Sequence, residues 1–172
     1  MEGTSGNERF YVMALVDIGR FGIPWYYNAR NNLDSSYDVS VQSNDFAVAG
    51  VEPTGRINTE RMIASWNSSQ YGAQNTRDLW GLIQDEVEDG WFVPSKSEWA
   101  AFGAAFDITN SNYSTLGLNE SYWTSSQYRA DMDFVFYVDF YSGNLSWTDV
   151  RTYITNSGNK AYYTIARLAT TF

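Results

Sequence analysis

A short apolar run, a proline and a helix-capping pattern in the middle of the chain constrain its fold most. Trp91-Phe92-Val93 has the length and residue types of a short strand, and Pro94 ends it because proline lacks a backbone N–H. Ser95 and Glu98 then form a capping box, in which each side chain satisfies a backbone N–H at the start of a helix. A helix is therefore predicted to begin at Ser95, directly after the strand.

The predicted helix carries an aromatic face. Trp99, Phe102 and Phe106 recur at spacings of three and four, which places them on one side of a helix and predicts that they are core residues. Trp91 and Trp123 are predicted to be further core anchors. Small residues of the same helix would let a sheet approach closely: Ala100, Ala101, Ala104 and Ala105.

Two further helices and a first strand are predicted in the preceding part of the chain. Residues 10–16 are aromatic or apolar throughout and include two β-branched valines, which favours a buried strand. Asn58 is placed to cap a helix over residues 59–66, with Met62, Ile63 and Trp66 on one face. Asn75 or Thr76 would cap a helix over 77–88. Gly90 would end it, and four apolar side chains would point inward: Leu79, Trp80, Ile83 and Val87.

Residues 133–141 alternate with a period of two, as expected of a strand with two different faces. One face carries Phe134, Phe136, Val138 and Phe140 and is predicted to be core, whereas the other faces solvent. Residues 141–144 (Tyr-Ser-Gly-Asn) have the composition of a hairpin turn, which would return the chain as a strand over 145–150. Residues 162–172 are predicted to form a terminal strand.

Composition excludes several classes of function. The chain has no cysteine and no histidine, so nucleophilic Cys and Ser-His-Asp sites and the usual zinc and haem ligand sets are absent. We therefore predict no cofactor, no metal and no enzymatic activity. The net charge of −9, with 11 basic residues scattered along the chain, argues against nucleic acid as a partner. No apolar run is long enough for membrane insertion.

Four motifs carry a resemblance to a known family. They are Gly90-Trp-Phe-Val-Pro-Ser-Lys-Ser-Glu-Trp99, Tyr122-Trp-Thr-Ser-Ser-Gln-Tyr128, Phe140-Tyr-Ser-Gly143 and Ile165-Ala-Arg-Leu168. In this order they resemble the bacterial and phage C-type-lectin-fold domains that include formylglycine-generating-enzyme-like domains and the variable proteins of diversity-generating retroelements. The resemblance covers about half of the chain, from Gly90 onward.

The resemblance implies an α+β, C-type-lectin-like fold, with a small antiparallel sheet, two or three short helices, long loops and chain ends close together. We expect a flexible lead over residues 1–9 and a single domain over 10–172, with 122–172 as the recognition region. Arg167 would be buried beside a partner such as Glu98, or would be an exposed charge on an edge strand. The catalytic cysteines of the formylglycine-generating enzymes are missing, and Glu52-Pro53-Thr54 and Trp66-Asn67-Ser68 do not complete the motifs of calcium-dependent lectins.

These features predict a ligand-binding module of a bacterial or phage surface protein, of receptor-binding or adhesin type. Its partner would be a protein or glycan on a cell surface, and its location extracellular, at the cell surface or on a virion. Retroelement diversification changes adenine-rich codons, and between Asp133 and Phe172 only Trp147 and Lys160 fall outside the residue types that such codons yield.

The predicted binding residues share the Tyr, Asp, Ser and Arg chemistry of known binding surfaces. They are Tyr128, Arg129, Asp131, Asp133, Val135, Tyr137, Asp139, Tyr141, Asn144, Ser146, Thr148, Asp149, Arg151 and Tyr153. Three alternatives remain open. The hairpin face could be an ordinary solvated surface; the chain could be a structural, homo-oligomerising tail-fibre or pilus module; or a carboxylate pair such as Asp131 and Asp133, or Glu86 and Glu88, could make it a hydrolase.

Overall fold

The structure is a computed structural model that describes residues 11–23, 25, 55–67, 78–127, 134–141, 152–153 and 164–171. These residues form an α+β domain. Its helices are α1 (Gly55–Trp66), α2 (Leu79–Leu82), α3 (Gln84–Glu88) and α4 (Lys96–Ala105), with a 3-10 helix over Tyr113–Leu116. Its strands are β1 (Tyr11–Met13), β2 (Ile18–Ile23), β3 (Ser121–Gln127), β4 (Phe134–Asp139), β5 (Thr152–Tyr153), β6 (Thr164–Ala166) and β7 (Ala169–Thr171).

The main sheet is mixed, not antiparallel as predicted. Its five strands lie in the order β2-β6-β3-β4-β5, and β3 and β6 run parallel, with Tyr122 opposite Ile165. The other neighbouring pairs are antiparallel. The two parallel strands are separated by a long stretch of chain, so no tight turn sets their relative direction. Local pattern therefore could not reveal this pairing.

A second, two-stranded sheet joins the beginning and the end of the described chain. Tyr11 lies opposite Thr171 in the β1-β7 pair, which confirms for these residues that the chain ends lie close together. Phe92 adds an isolated bridge to Ala169 in β7. The predicted buried strand over 10–16 is wrong in part, because β1 ends at Met13 and Leu15 and Val16 are 95% and 75% exposed.

The buried hydrophobic residues of the described ranges form two clusters. The first surrounds Trp80 and Trp123 and includes side chains of α1 and α2. The second surrounds Trp99 on α4 and contains Tyr122, Val138 and Phe140. Trp99 and Trp123 are thus buried anchors, as predicted, whereas Trp91 is only half-buried and packs against the first cluster.

The predicted capping box is confirmed. The Ser95 hydroxyl accepts a hydrogen bond from the Glu98 N–H at 3.2 Å, and the Glu98 carboxylate accepts one from the Ser95 N–H at 2.7 Å. The aromatic face is confirmed only in part, because Phe102 is half-buried and Phe106 is 56% exposed. Phe106 follows the last helical residue with φ −111° and ψ 11°, so it leaves the helical path that the spacing assumed.

The first three helices differ from the prediction mainly at their ends. Helix α1 begins at Gly55, which lies against the Glu98 carboxylate so closely that a Cβ would collide with it; Asn58 is therefore a buried position inside the helix and not its cap. The helix predicted over 77–88 is two short helices that meet at Ile83, with Asp78 as the cap of α2. The described ranges accordingly contain four α-helices, above the two or three expected. None of the helices in the described ranges has the length and apolar character needed to cross a membrane.

Several predictions concern residues that the structure does not describe. The lead over residues 1–9, most of the turn after Tyr141 and the returning strand over 145–150 fall outside the described ranges. The predicted terminal strand over 162–172 is present as two short strands, β6 and β7, separated by Arg167 and Leu168. Arg167 therefore lies between the main sheet and the second sheet.

Candidate functional site

Strand β4 carries the described part of the predicted recognition surface. Its backbone pairs with β3, so that Asp139 lies opposite Ser121 and Tyr137 opposite Trp123. Val138 and Phe140 point into the second cluster and are 1% and 0% exposed. The Phe140 ring contacts Trp99 at 6.2 Å and stacks with Tyr113 at 5.7 Å between centroids. The predicted inward face is confirmed at these two positions.

The outward face of β4 opens towards its C-terminal end. Tyr141 is 71% exposed and Asp139 is half-buried. The Asp139 Oδ1 atom accepts a hydrogen bond from the Tyr141 N–H at 2.8 Å, an Asx-type contact across two residues. This hydrogen bond restrains the backbone of Tyr141. The exposed tyrosine ring is therefore attached to a restrained backbone directly after β4.

Tyr137 does not fit the predicted exposed face. It is half-buried, packs against both hydrophobic clusters and makes an edge contact with the Trp123 ring, with centroids 6.4 Å apart. Trp123 is itself held by a 2.7 Å hydrogen bond from its indole N–H to the Ile23 carbonyl. The alternation predicted that Tyr137 is exposed, and this prediction is wrong. It could not show that a large neighbour on β3 covers this position.

The remaining predicted residues divide into two groups. Val135 and Tyr153 are strand residues, since β4 and β5 pair antiparallel with Val135 opposite Thr152 and Phe134 opposite Tyr153. The side chains of these residues, and of Phe136, are outside the description. The other predicted binding residues also lie outside the described ranges and remain predictions: Tyr128, Arg129, Asp131, Asp133, Asn144, Ser146, Thr148, Asp149 and Arg151.

Strand β3 supports this surface through a buried run of hydroxyl side chains. Thr124, Ser125 and Ser126 are 0% exposed. The Ser126 hydroxyl accepts from the Lys96 N–H at 3.1 Å, and the Ser125 N–H donates to the Pro94 carbonyl at 3.0 Å. Further hydrogen bonds join β3 to two more distant residues: the Asn58 amide donates to Ser125, and the Trp25 indole donates to the Thr124 carbonyl. These bonds connect β3 to α1, to the start of α4 and to Trp25.

Arg167 is buried, as expected, but its partner is Asp17 and not Glu98. The Arg167 Nε atom donates to the Asp17 carboxylate at 2.6 Å, and a terminal guanidinium nitrogen donates to the Gly117 carbonyl at 2.8 Å. Glu98 is engaged in the capping box instead. Asp17 lies 150 residues from Arg167 in the chain, and no local pattern marks it as the partner.

Tyr122 completes this buried group. Its hydroxyl accepts from the Asn119 N–H at 2.7 Å and donates to the Asp17 carboxylate at 3.3 Å, while the Arg167 guanidinium lies 5.3 Å above its ring. Burial raises the pKa of Tyr122, so the phenol keeps the proton that it donates. Asp17, Tyr122 and Arg167 thus connect the loop before β2, the start of β3 and the end of β6. Their contacts stabilise the sheet where these three segments meet.

The acidic residues offer no assembled site in the described part of the chain. Glu86 and Glu88, one of the predicted carboxylate pairs, lie on α3, and Glu88 is exposed. Within the described ranges, no three Asp, Glu, His or Cys side chains come together as candidate ligands of a metal ion. The other predicted pair, Asp131 and Asp133, lies outside those ranges.

Comparisons with known proteins give no relative for this chain. No protein-family model matches it, and searches of curated proteins and of solved structures find no match.

Proposed function

We propose that the chain is a C-type-lectin-like ligand-binding domain of a bacterial or phage surface protein, with a receptor-binding or adhesin role. Its ligand would be a protein or glycan on a cell surface. The observation that carries the proposal is the two-sided character of β4. Val138 in β4 and Phe140 just after it are packed in the core, and the next residue, Tyr141, is 71% exposed.

This arrangement suits recognition for a physical reason. A tyrosine offers a large contact area but has only two side-chain torsions to restrain, so binding costs it little conformational entropy. Asp139 already holds the Tyr141 backbone, and Phe140 anchors the neighbouring position in the core. The ring is therefore presented by a restrained segment, which lowers the ordering cost of association.

Tyr141 and Asp139 would act together with the predicted residues of the neighbouring segments. Those residues belong to the chain between β3 and β4 and to the chain that follows Tyr141. Tyr137 has a different role in this proposal, because its contact with Trp123 makes it a support for the strand. We propose that the exposed positions of this region are also those that a retroelement would diversify.

A binding screen tests the proposal directly. The fluorescently labelled 172-residue chain would be applied to a glycan array and to a panel of intact bacterial cells. Removal of an exposed aromatic hot spot costs about 2 kcal/mol or more, so Tyr141→Ser should weaken any binding by at least about 30-fold. Leu82→Ser is the matched control, since Leu82 is 40% exposed on α2, and it should bind like the unmodified chain.

Two results would contradict the proposal: no binding to any cell or glycan in the panel, or binding that Tyr141→Ser leaves unchanged. The diversification part has its own test in the nucleotide sequence around the gene. A reverse-transcriptase gene and a near-copy of the C-terminal coding segment that differs at adenines would support it. If neither the reverse-transcriptase gene nor the near-copy is present, the diversification proposal is contradicted. The proposal that the domain binds a ligand is not affected by that result.

A further inference from the structure

The segment 117–120 connects Arg167 with the end of β4. At one end of the segment, the Gly117 carbonyl accepts the 2.8 Å hydrogen bond from the Arg167 guanidinium. At the other end, the Glu120 carbonyl accepts a hydrogen bond from the Phe140 N–H, also at 2.8 Å. Phe140 is the residue directly before the exposed tyrosine of the candidate site, so the segment lies between a buried charge and that site.

Asn119, inside the segment, is held by two hydrogen bonds. Its backbone N–H donates to the Tyr122 hydroxyl at 2.7 Å, and its side-chain amide donates to the Asp17 carboxylate at 2.5 Å. The Tyr122 hydroxyl donates to the same carboxylate oxygen, and Arg167 donates to the other one. These three residues, the ion-pair group (Asp17, Tyr122 and Arg167), therefore determine where Asn119 lies.

Phe140 is restrained through both its backbone and its ring. Its N–H is bonded to the segment, and its ring contacts the Tyr122 ring with centroids 6.3 Å apart. Tyr122 therefore acts at both places, since its hydroxyl holds Asn119 and its ring packs against Phe140. Tyr141 follows Phe140 in the chain, so the position of its backbone depends on how firmly Phe140 is held.

We propose that the ion-pair group positions the candidate recognition surface. The group fixes the segment 117–120, and the segment fixes the backbone from which Tyr141 projects. A binding side chain loses less conformational entropy on association when its backbone is already held, so this arrangement would raise affinity without touching the ligand. The consequence for binding rests on the proposed function, whereas the restraint of the Phe140 backbone by the group does not.

The chemistry of the ion pair suits positioning better than stabilisation alone. Taking two charges out of water costs free energy that their attraction largely offsets but does not clearly exceed, so a buried ion pair adds little net stability. A guanidinium, however, presents several donors in one rigid plane. Arg167 uses two of them, towards Asp17 at 2.6 Å and towards the Gly117 carbonyl at 2.8 Å, and so sets the distance between these residues.

Amide hydrogen exchange of the 172-residue chain, followed by NMR, tests the restraint without any ligand. Tyr122→Phe removes the hydroxyl that holds Asn119 and keeps the ring. The Phe140 N–H should then exchange faster relative to the Phe92 N–H, which donates to the Ala169 carbonyl in the second sheet. We expect the ratio of the two rates to rise about tenfold, as for the loss of one or two hydrogen bonds. A general loss of stability would raise both rates together and leave the ratio unchanged.

Tyr113→Phe is the matched control. The Tyr113 ring also stacks on Phe140, with centroids 5.7 Å apart, but in the described structure its hydroxyl forms no hydrogen bond with Asp17 or Asn119. The same deletion of one hydroxyl should therefore leave the ratio within about twofold of the unmodified chain. Arg167→Lys is a second variant: it keeps the charge on a single nitrogen, which cannot reproduce the planar, two-donor geometry, and it should also raise the ratio.

The glycan array and the cell panel used for Tyr141→Ser measure the consequence for binding. Tyr122→Phe should weaken binding by about three- to tenfold, and Tyr113→Phe should not. The inference is overturned if neither Tyr122→Phe nor Arg167→Lys raises the exchange ratio, or if Tyr113→Phe raises it equally. It is also overturned if Tyr122→Phe leaves unchanged the binding to a cell or glycan that Tyr141→Ser weakens. If nothing in the panel binds, the proposed function alone is contradicted, and the exchange ratio still decides whether the group holds the Phe140 backbone.

Discussion

Strands β3 and β4 are hydrogen-bonded neighbours, yet the burial of their side chains differs. From Tyr122 to Ser126, every side chain of β3 is at most 1% exposed, hydroxyl groups included. On β4 and the turn after it, buried and accessible positions alternate from Tyr137 to Tyr141. The polar side chains of this β3 run are fully buried, whereas Asp139 at the end of β4 is half-buried and Tyr141, just after that strand, is exposed.

The difference follows from what lies on each side of the two strands. Strand β3 is central in the sheet and packs against both α1 and α4, so its polar groups are out of reach of water and must find partners in the protein. Strand β4 is next to the edge strand β5, and its contacts with α4 cover one side. A polar side chain can face solvent on the other side. Composition alone therefore cannot tell a recognition surface from a buried hydrogen-bonded strand.

The largest expected effect comes from removing an anchor of β3. Trp123→Ala deletes a side chain that is 1% exposed, its hydrogen bond to Ile23 and its contact with Tyr137. It should lower the free energy of unfolding by about 3–5 kcal/mol, measured by urea denaturation. Phe106→Ala is the control at an exposed aromatic and should cost about 1 kcal/mol or less. Equal losses for the two variants would mean that β3 is not covered on this side.

A smaller effect is expected from the buried hydroxyls. Ser126→Ala leaves the Lys96 N–H without its partner in a buried position, which should cost about 1–3 kcal/mol in urea denaturation. Ser114 is exposed on the 3-10 helix, and Ser114→Ala should change stability by no more than about 0.5 kcal/mol. If Ser126→Ala were as neutral as Ser114→Ala, the hydroxyl side chains of β3 would not contribute to stability through buried hydrogen bonds.

The smallest effect on stability is expected on the outward face of β4. Tyr141→Ser should change the free energy of unfolding by about 0.5 kcal/mol or less, because the ring is 71% exposed. Tyr137→Ser, four residues earlier, removes a half-buried ring that contacts Trp123 and should cost about 1–2 kcal/mol. Thermal or urea denaturation of both variants measures the two losses of stability. A larger loss for Tyr141→Ser than for Tyr137→Ser would reverse the roles assigned to these tyrosines.

Sequence patterns predicted a helix or strand correctly where the pattern depends on residues only a few positions apart. The capping box at Ser95 and the inward positions Val138 and Phe140 agree with the structure because each depends on hydrogen bonds or spacing inside one element. Phe106 was predicted to be a core residue and Ala101 to let a sheet approach closely, yet both are exposed, because helical spacing shows which residues share a face but not what covers that face. For the candidate site, the exposure of Tyr141 could be predicted and the burial of Tyr137 could not.

The amino-acid sequence by itself determined where α4 begins, that β4 has two unlike faces, and that Arg167 would need a partner if it were buried. These follow from capping chemistry, from the pleat of a strand and from the cost of burying a charge, all of which act locally. Tertiary structure alone decided that the partner is Asp17, that β6 lies parallel to β3, and that Trp123 covers Tyr137. Each of those contacts joins residues far apart in the chain, whose meeting depends on how all the elements pack at once.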